Sequence, residues 1–363
     1  MFKKYRVLKW ALITIVALLL IIVSFGLWFK SLIPPKNMEI ENTLVENLPY
    51  VSENVQAYRA KILTVVTSTR TMGSSDKSTG YELSELARAY YVFQANGFEV
   101  DIASPLGGKP PVVIDDEDMG AYDFAFLNDS VAQYKTSHTI RLKDIVAENY
   151  EAVFFVGGKG AMFDFPENKA IQAIVREYYQ SNKVIGAVCH GPAALVNVVL
   201  DNGHSILENK RVSGFTNEEE LLLIPEANSI FPFLLEDKLI AQGARFNSGS
   251  MYLDKISHDK NLVTGQNPWS VWSVAETVVK QLGHEPKYRE ITSEEHAVSI
   301  LITYHQQGSQ KAKERIEKML LDEGKSIDRL LIAKHSIIAA MQGDVSSFFN
   351  IVGLVSFIKK MEP

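Results

Sequence analysis

"KVIGAVCHGPAALVNV", residues 183–198, decides the fold of this 363-residue chain and points to its chemistry. An apolar run, Val184 to Val188, stops at Cys189, the single cysteine, and an alanine-rich stretch of helical character begins after Pro192, a residue suited to a first helical turn. Cys189 therefore stands at a sharp strand-to-helix turn. Small neighbours, Gly186 and Gly191, let the backbone fold tightly there and push a side chain into a cleft, the setting of a nucleophile elbow. A helix N-terminus behind the sulfur, with His190 beside it, is expected to favour the thiolate and lower the thiol pKa. The competing reading is a buried structural cysteine, a common fate of a lone thiol. The turn context favours the reactive one.

Working outward, "KILTVVTS" (61–68), "EVDIAS" (99–104), "EAVFFVGG" (151–158) and "NLVTG" (261–265) read as further buried strands. Between them "YELSELARAYYVFQANG" (81–97), "PENKAIQAIVREYYQSN" (166–182) and "PWSVWSVAETVVKQLG" (268–283) repeat apolar residues at helical spacing. Strands alternating with helices predict an α/β fold, a doubly wound, flavodoxin-like parallel sheet covered on both faces. Chemistry in such a sheet sits at the carboxyl ends of the strands, where Cys189 falls.

Composition bounds the partners. With 37 Lys and Arg against 43 Asp and Glu, a net charge of -6, the chain lacks the basic surface that a nucleic-acid partner requires. One cysteine allows neither an internal disulfide nor a cysteine-rich metal site. The N-terminus is more informative: "WALITIVALLLIIVSFGLWF" (10–29) is twenty residues without a charge, about 30 Å of helix and the thickness of a bilayer's hydrocarbon core. Lys3, Lys4, Arg6 and Lys9 precede it and only Lys30 and Lys36 follow closely, so the positive-inside bias predicts a single-pass membrane protein with a cytoplasmic N-terminus and everything after residue 30 outside. A cleaved signal peptide is the competing reading, but the run exceeds the roughly 7 to 15 residues of an h-region and no A-x-A site follows.

Four segments are expected: a cytoplasmic terminus and transmembrane anchor (1–30), a polar linker (31–59), a catalytic domain (60–283) and an all-α C-terminal extension (284–363). "TSEEHAVSILITYHQQG" (292–308) opens the extension with Thr292 and Glu295 at capping-box spacing. Three more helical runs follow, broken near Gly308, Gly324 and Gly343, to make a four-helix appendage. His296, His305 and His335 are scattered without carboxylate or cysteine partners, and no metal site is expected. The last run, "VSSFFNIVGLVSFI" (345–358), is too short for a second span and is expected to pack on a neighbour, the membrane surface or another subunit.

Several separate stretches, in order, carry a resemblance: "TGYELSELARAYYVFQANGFEVDIASPLGGKPP" (79–111), "GGKGAMFDFPEN" (157–168), "AVCHGPAAL" (187–195), "GFTNEEE" (214–220), "FPFLLEDKL" (231–239) and "LVTGQNPWS" (262–270). They resemble the PfpI/DJ-type superfamily of the class I glutamine amidotransferase-like fold, nearest its heat-shock chaperone and glutathione-independent glyoxalase branch. The resemblance implies Cys189 as nucleophile, His190 as the histidine next to it, and Glu85 as the acidic residue that approaches the cysteine from the first β-α unit, chosen over Glu82 on the motif. A protonated Glu85 would donate to the thiolate and later shuttle a proton between adjacent substrate carbons. The backbone N–H groups of Gly157 and Gly158 are expected to face a developing oxyanion, although two glycines also serve a tight turn with no catalysis at all.

Three departures from the family pattern stand out. Lys159 occupies the place of a histidine in "GGHG". "ARAYY" (87–91) replaces a His-Pro pair in the pocket wall. Asn217 stands where relatives carry an aspartate that orients the histidine, and because an amide brings no negative charge, Glu218 or Glu220 is the substitute to test, against the reading of three glutamates as a solvated helix face.

The resemblance implies a cofactor-independent glyoxalase or deglycase acting on a small reactive carbonyl: a 2-oxoaldehyde such as methylglyoxal becomes a 2-hydroxy acid, with neither metal nor glutathione. The alternative is a non-enzymatic, membrane-tethered chaperone or partner-binding module with a vestigial pocket. The assembly is left open to a homodimer.

Overall fold

The computed structural model describes residues 2–35, 37–115 and 119–362, residues 2–8 through their backbone alone. Of the basic residues flanking the apolar run, Lys36 and the side chains of Lys3, Lys4 and Arg6 lie outside the described residues. The chain forms two compact units: helix α1 (Phe2–Leu32) groups with the segment from Thr292 onward, and Met38–Ile291 form the other.

The larger unit contains β1 (Ala60–Val65), α2 (Leu83–Ala95), β2 (Phe98–Ser104), β3 (Ile140–Arg141), β4 (Ala152–Phe155), α3 (Lys169–Gln180), β5 (Val184–Val188), α4 (Asn217–Leu223), β6 (Ile256–Asp259), β7 (Leu262–Gly265) and α5 (Val271–Gln281). Among the described residues the main sheet has seven strands in the order β6-β7-β5-β4-β1-β2-β3. All neighbours are parallel except the β6–β7 edge pair. β1 pairs with β2 on one side and β4 on the other, so the chain reverses its direction of winding between them, and loops at their carboxyl ends diverge to leave a crevice.

Local chemistry explains the elements. Every residue of β4 and β5 is buried, as strands covered on both faces require. Gly186 is obligatory in β5, because a Cβ there would lie 2.7 Å from Cδ2 of Phe154 on β4. α3 starts at Asn168, whose side chain accepts from the amides of Ala170 and Ile171, and buries Ile171, Ile174, Val175 and Tyr178 at helical spacing. α2 is covered almost all round, which accounts for "ARAYY": Tyr90 and Tyr91 pack edge-on against Phe126, and Arg88 makes a buried ion pair with Asp123 at 2.8 Å. These residues build core.

The boundaries expected from sequence shift at both ends of this unit. The segment before β1 is no linker past residue 38, since Leu48, Tyr50 and Val51 are buried in the core and the amide of Arg59 bonds to the carbonyl of Gly97. After α5, the Lys287 amide donates to Asn96 Oδ1, and the Arg289 guanidinium lies 3.9 Å from the Trp272 ring centroid. The helical extension therefore starts at Thr292 rather than 284.

In the other unit four helices follow: α6 (Ser293–Gln307), α7 (Ser309–Glu317), α8 (Arg329–Met341) and α9 (Val345–Met361). Thr292 and Glu295 form the expected capping box, and the breaks fall at Gly308, Gly324 and Gly343, all with positive φ. His296 bonds through Nδ1 to the Ser326 carbonyl, and burial pushes the His335 imidazole down to about 3. α9 packs on α8 and reaches α1, where Phe348 and Phe349 meet the Phe25 ring. Lys9–Leu32 of α1 is long and apolar enough to cross a membrane.

Candidate active site

Cys189 follows the last residue of β5 with φ +59°, a left-handed conformation that costs a non-glycine residue roughly 1–2 kcal/mol. Its neighbours hold it there. The Cys189 amide donates to the Gly265 carbonyl of β7 at 3.0 Å, and the Cys189 carbonyl accepts from the Phe215 amide at 2.9 Å. Gly191 is required two residues on, since a Cβ would fall 2.2 Å from the Phe155 carbonyl oxygen. The turn predicted from sequence is present, but the helix after it is a five-residue 3-10 segment, Gly191–Leu195, too short to build much of a dipole.

Glu85 arrives from the first turn of α2, delivered by a close backbone approach: the Glu82 amide donates to the Gly157 carbonyl at 3.2 Å. A Cβ on Gly158 would lie 2.4 Å from the Gly80 carbonyl oxygen, and one on Gly157 would lie 2.7 Å from Glu85 Oε2 and 2.8 Å from Cys189 Cβ. Both glycines are thus steric requirements of the site. Their amides act differently from the expectation of a paired oxyanion hole. The Gly157 N–H donates to Glu85 Oε2 at 2.6 Å and so is already engaged, while the Gly158 N–H is directed at the Cys189 sulfur.

Glu85 is fully buried, and burial first, then the charge of Glu82, raises its pKa well above the usual carboxylate range. Burial also raises the Cys189 thiol well above its ordinary value, with the neighbouring Glu85 carboxyl adding to the effect. The charge of Lys159 and the Gly158 amide push the other way. This reverses the expected depression of the thiol: removal from water outweighs the weak field of a short 3-10 segment. Two adjacent groups that both resist ionisation titrate as a coupled pair.

On the other side of the sulfur, His190 Nδ1 lies 3.2 Å from Sγ, and Nε2 lies 2.6 Å from Glu220 Oε2. His190 is 1% exposed, and its ring lies tilted against that of Phe215 at 4.5 Å between centroids. Burial opposes ionisation of Glu220, yet the His190 charge and hydrogen bond, with Lys159 beyond, hold its carboxyl below the usual range. Glu220 is therefore the residue that orients the histidine. Asn217 and Glu218 are not: Asn217 donates through Nδ2 to Asp237 Oδ1 at 2.7 Å, and Glu218 is exposed.

Nor is the glutamate run a solvated face. Thr216 caps α4 and pairs with Glu219 in a capping box. The Glu219 carboxylate also accepts from the Tyr252 amide, Gln266 Nε2 and Asn267 Nδ2, so it locks α4 to the loops around β7. The sequence carries part of the signal: a Thr-x-x-Glu box fixes Thr216 as N-cap and turns Glu219 back to it, whereas the glutamate that faces His190 is decided by how α4 packs. Tyr252, whose hydroxyl donates to the Glu219 carbonyl and whose ring lies 6.0 Å from that of Phe215, completes the wall and was not singled out from sequence.

The DJ-1/PfpI family model matches residues 77–281, the span that holds all of these groups. Glutathione-independent glyoxalase hsp3102 of Schizosaccharomyces pombe is 32% identical over 216 residues, covering 57% of this chain and 90% of the relative. Two crystal structures share the fold. The Rapid Encystment Protein 24 kDa of Francisella tularensis is 37% identical with a TM-score of 0.59, covering 62% of this chain and 99% of that one. Glyoxalase III of Candida albicans is 26% identical with a TM-score of 0.56, covering 62% and 98%. A buried cysteine at a strained turn, a glutamate from the first crossover and a matching family span converge on one conclusion: this chain belongs to the DJ-1/PfpI family.

Proposed function

We propose that the chain is a membrane-anchored, cysteine-dependent enzyme that converts a small 2-oxoaldehyde, such as methylglyoxal, to a 2-hydroxy acid without glutathione. One observation carries the reading: Cys189 is pinned in a left-handed turn between Glu85 and the His190–Glu220 pair. Sγ adds to the aldehyde carbon as the thiol proton leaves through His190 to solvent and Glu85 gives its own proton to the aldehyde oxygen, so that a hemithioacetal forms and Glu85 is left ionised. Glu85 removes the proton from that carbon and a proton is returned to the adjacent one. The first carbon is thereby oxidised to a thioester while the neighbouring ketone is reduced to an alcohol, and no external oxidant or reductant enters. Water activated by His190, which Glu220 orients, hydrolyses the thioester and restores the thiol.

The buried setting favours a short substrate. Cys189 is 4% exposed, which suits a two- or three-carbon aldehyde better than an adduct on a protein surface. The apolar length of α1 supports a membrane anchor, and the basic residues before it support an extracytoplasmic catalytic unit. Incubating the detergent-solubilised full chain with methylglyoxal and no glutathione tests the activity. Lactate should form, and Cys189→Ala should abolish its formation. Turnover that survives in Cys189→Ala would overturn the mechanism.

A further inference from the structure

The C-terminal helices carry an apolar surface that the reaction does not use. Ile337 and Met341 on α8, then Val345 and Phe349 on α9, follow one another at intervals of four residues across the α8–α9 turn. They are 49%, 57%, 64% and 57% exposed, although the same helices bury Ile332, Ala339, Ile351, Val352, Leu354 and Val355. Four large apolar side chains left exposed on either side of one helix–helix turn are a costly surface in water.

The same unit shows what lies beside this turn. The Phe25 ring of α1 is 6.1 Å from the Phe348 ring and 6.3 Å from the Phe349 ring. Arg329 Nη1 donates to the Leu32 carbonyl at 3.0 Å, and Lys359 Nζ donates to the Ser31 carbonyl. The last carbonyls of α1, which have no partner within their own helix, are thus capped by two cations from α8 and α9. Phe25 lies four residues before Phe29, the outer end of the uncharged run, so its ring contacts are about 6 Å inside that end. On α1 itself Leu19, Ile22 and Val23 are more than half exposed.

We infer that the α8–α9 turn is a membrane foot: Ile337, Met341, Val345 and Phe349 enter the outer acyl-headgroup boundary beside α1, and the occupant of this surface is lipid. The depth matches an interfacial helix, which buries its apolar side roughly 5–10 Å into that boundary. Asp344, at the turn itself, has its carboxylate bonded to the Ser347 amide as the N-cap of α9, so its charge is partly satisfied where the turn enters the boundary. The foot makes the four-helix unit a collar at the exit of the span. It rests on the reading of α1 as a membrane span.

Depth-resolved fluorescence tests it. In a Cys189→Ala background, Met341→Cys and Val345→Cys are labelled singly with an environment-sensitive fluorophore in the full chain, which is reconstituted into phosphatidylcholine–phosphatidylglycerol vesicles with or without brominated acyl chains. Leu19→Cys marks the span and Lys311→Cys, on an exposed surface, marks solvent. Labels at 341 and 345 should emit to the blue of the label at 311 and lose most of their emission to shallow bromines. Quenching at 19 with solvent-like emission at 341 and 345 overturns the foot and leaves the span standing. No quenching at 19 overturns both. Blue emission at 341 and 345 without lipid quenching means that protein covers these side chains, a second copy included, and also overturns the inference.

Discussion

At the scale of single residues the site is a pair of buried groups that both resist ionisation, Glu85 and Cys189, faced on the far side by His190 bonded to the Glu220 carboxylate. Because ionised Glu85 opposes formation of the thiolate, Glu85→Gln removes that opposition while keeping the size of the side chain. Alkylation of Cys189 by iodoacetamide, followed against pH by mass spectrometry, should begin above the range of an ordinary thiol in the parent and move to lower pH in Glu85→Gln. Turnover of methylglyoxal, the proposed substrate, should nevertheless fall by about 10²–10⁴-fold, since the proposed proton shuttle is gone. A variant that is both more readily alkylated and nearly inactive separates the two roles of this carboxyl. Glu220→Gln tests the other flank. It keeps the reach to Nε2 but withdraws the charge that steadies an imidazolium, so kcat should fall by at least about tenfold with KM little changed. Unchanged kcat would remove Glu220 from the machinery.

At the scale of elements, α4 is the weak link, seven residues held by its cap and by one carboxylate hub. Thr216→Ala should cost about 1 kcal/mol of stability in urea unfolding and lower kcat as well, because the same turn carries Glu220. A loss of stability with full turnover would mean that the cap and the orienting residue are uncoupled. The alternation of strands and helices was legible in the sequence because period and composition agree along each element: β5 is uniformly apolar, and α3 alternates its faces cleanly. The elbow was legible too, since Gly186, Cys189, Gly191 and Pro192 each have one local reason to stand where they do. What stayed hidden depends on long-range geometry. Which glutamate of "NEEE" faces His190 follows from the packing of α4, and the engagement of the Gly157 amide follows from α2 arriving across the crevice. The thiol pKa was misjudged for a related reason: a helix start is visible in sequence, but its shortness and the burial around it are not.

At the scale of the whole chain the question is which side of a membrane each end occupies. Arg329 and Lys359 cap the last carbonyls of α1, so the segment that carries them lies on the side where α1 ends. On the proposed reading of α1 as a span, one crossing puts residues 1–9 and residue 363 on opposite sides, and the positive-inside bias of Lys3, Lys4, Arg6 and Lys9 assigns the former to the cytoplasm. An alkaline phosphatase fused after Pro363, active only outside the cytoplasm, should therefore be active, and a cytoplasmic reporter at the same position silent. Replacing all four basic residues by glutamine removes the bias, since the Lys30 and Lys36 that remain now favour retention of the other end. The phosphatase signal should then fall while the cytoplasmic reporter rises. A phosphatase silent in the parent chain would invert the orientation and return Cys189 to a reducing compartment, where its oxidation to a sulfenate is a lesser hazard.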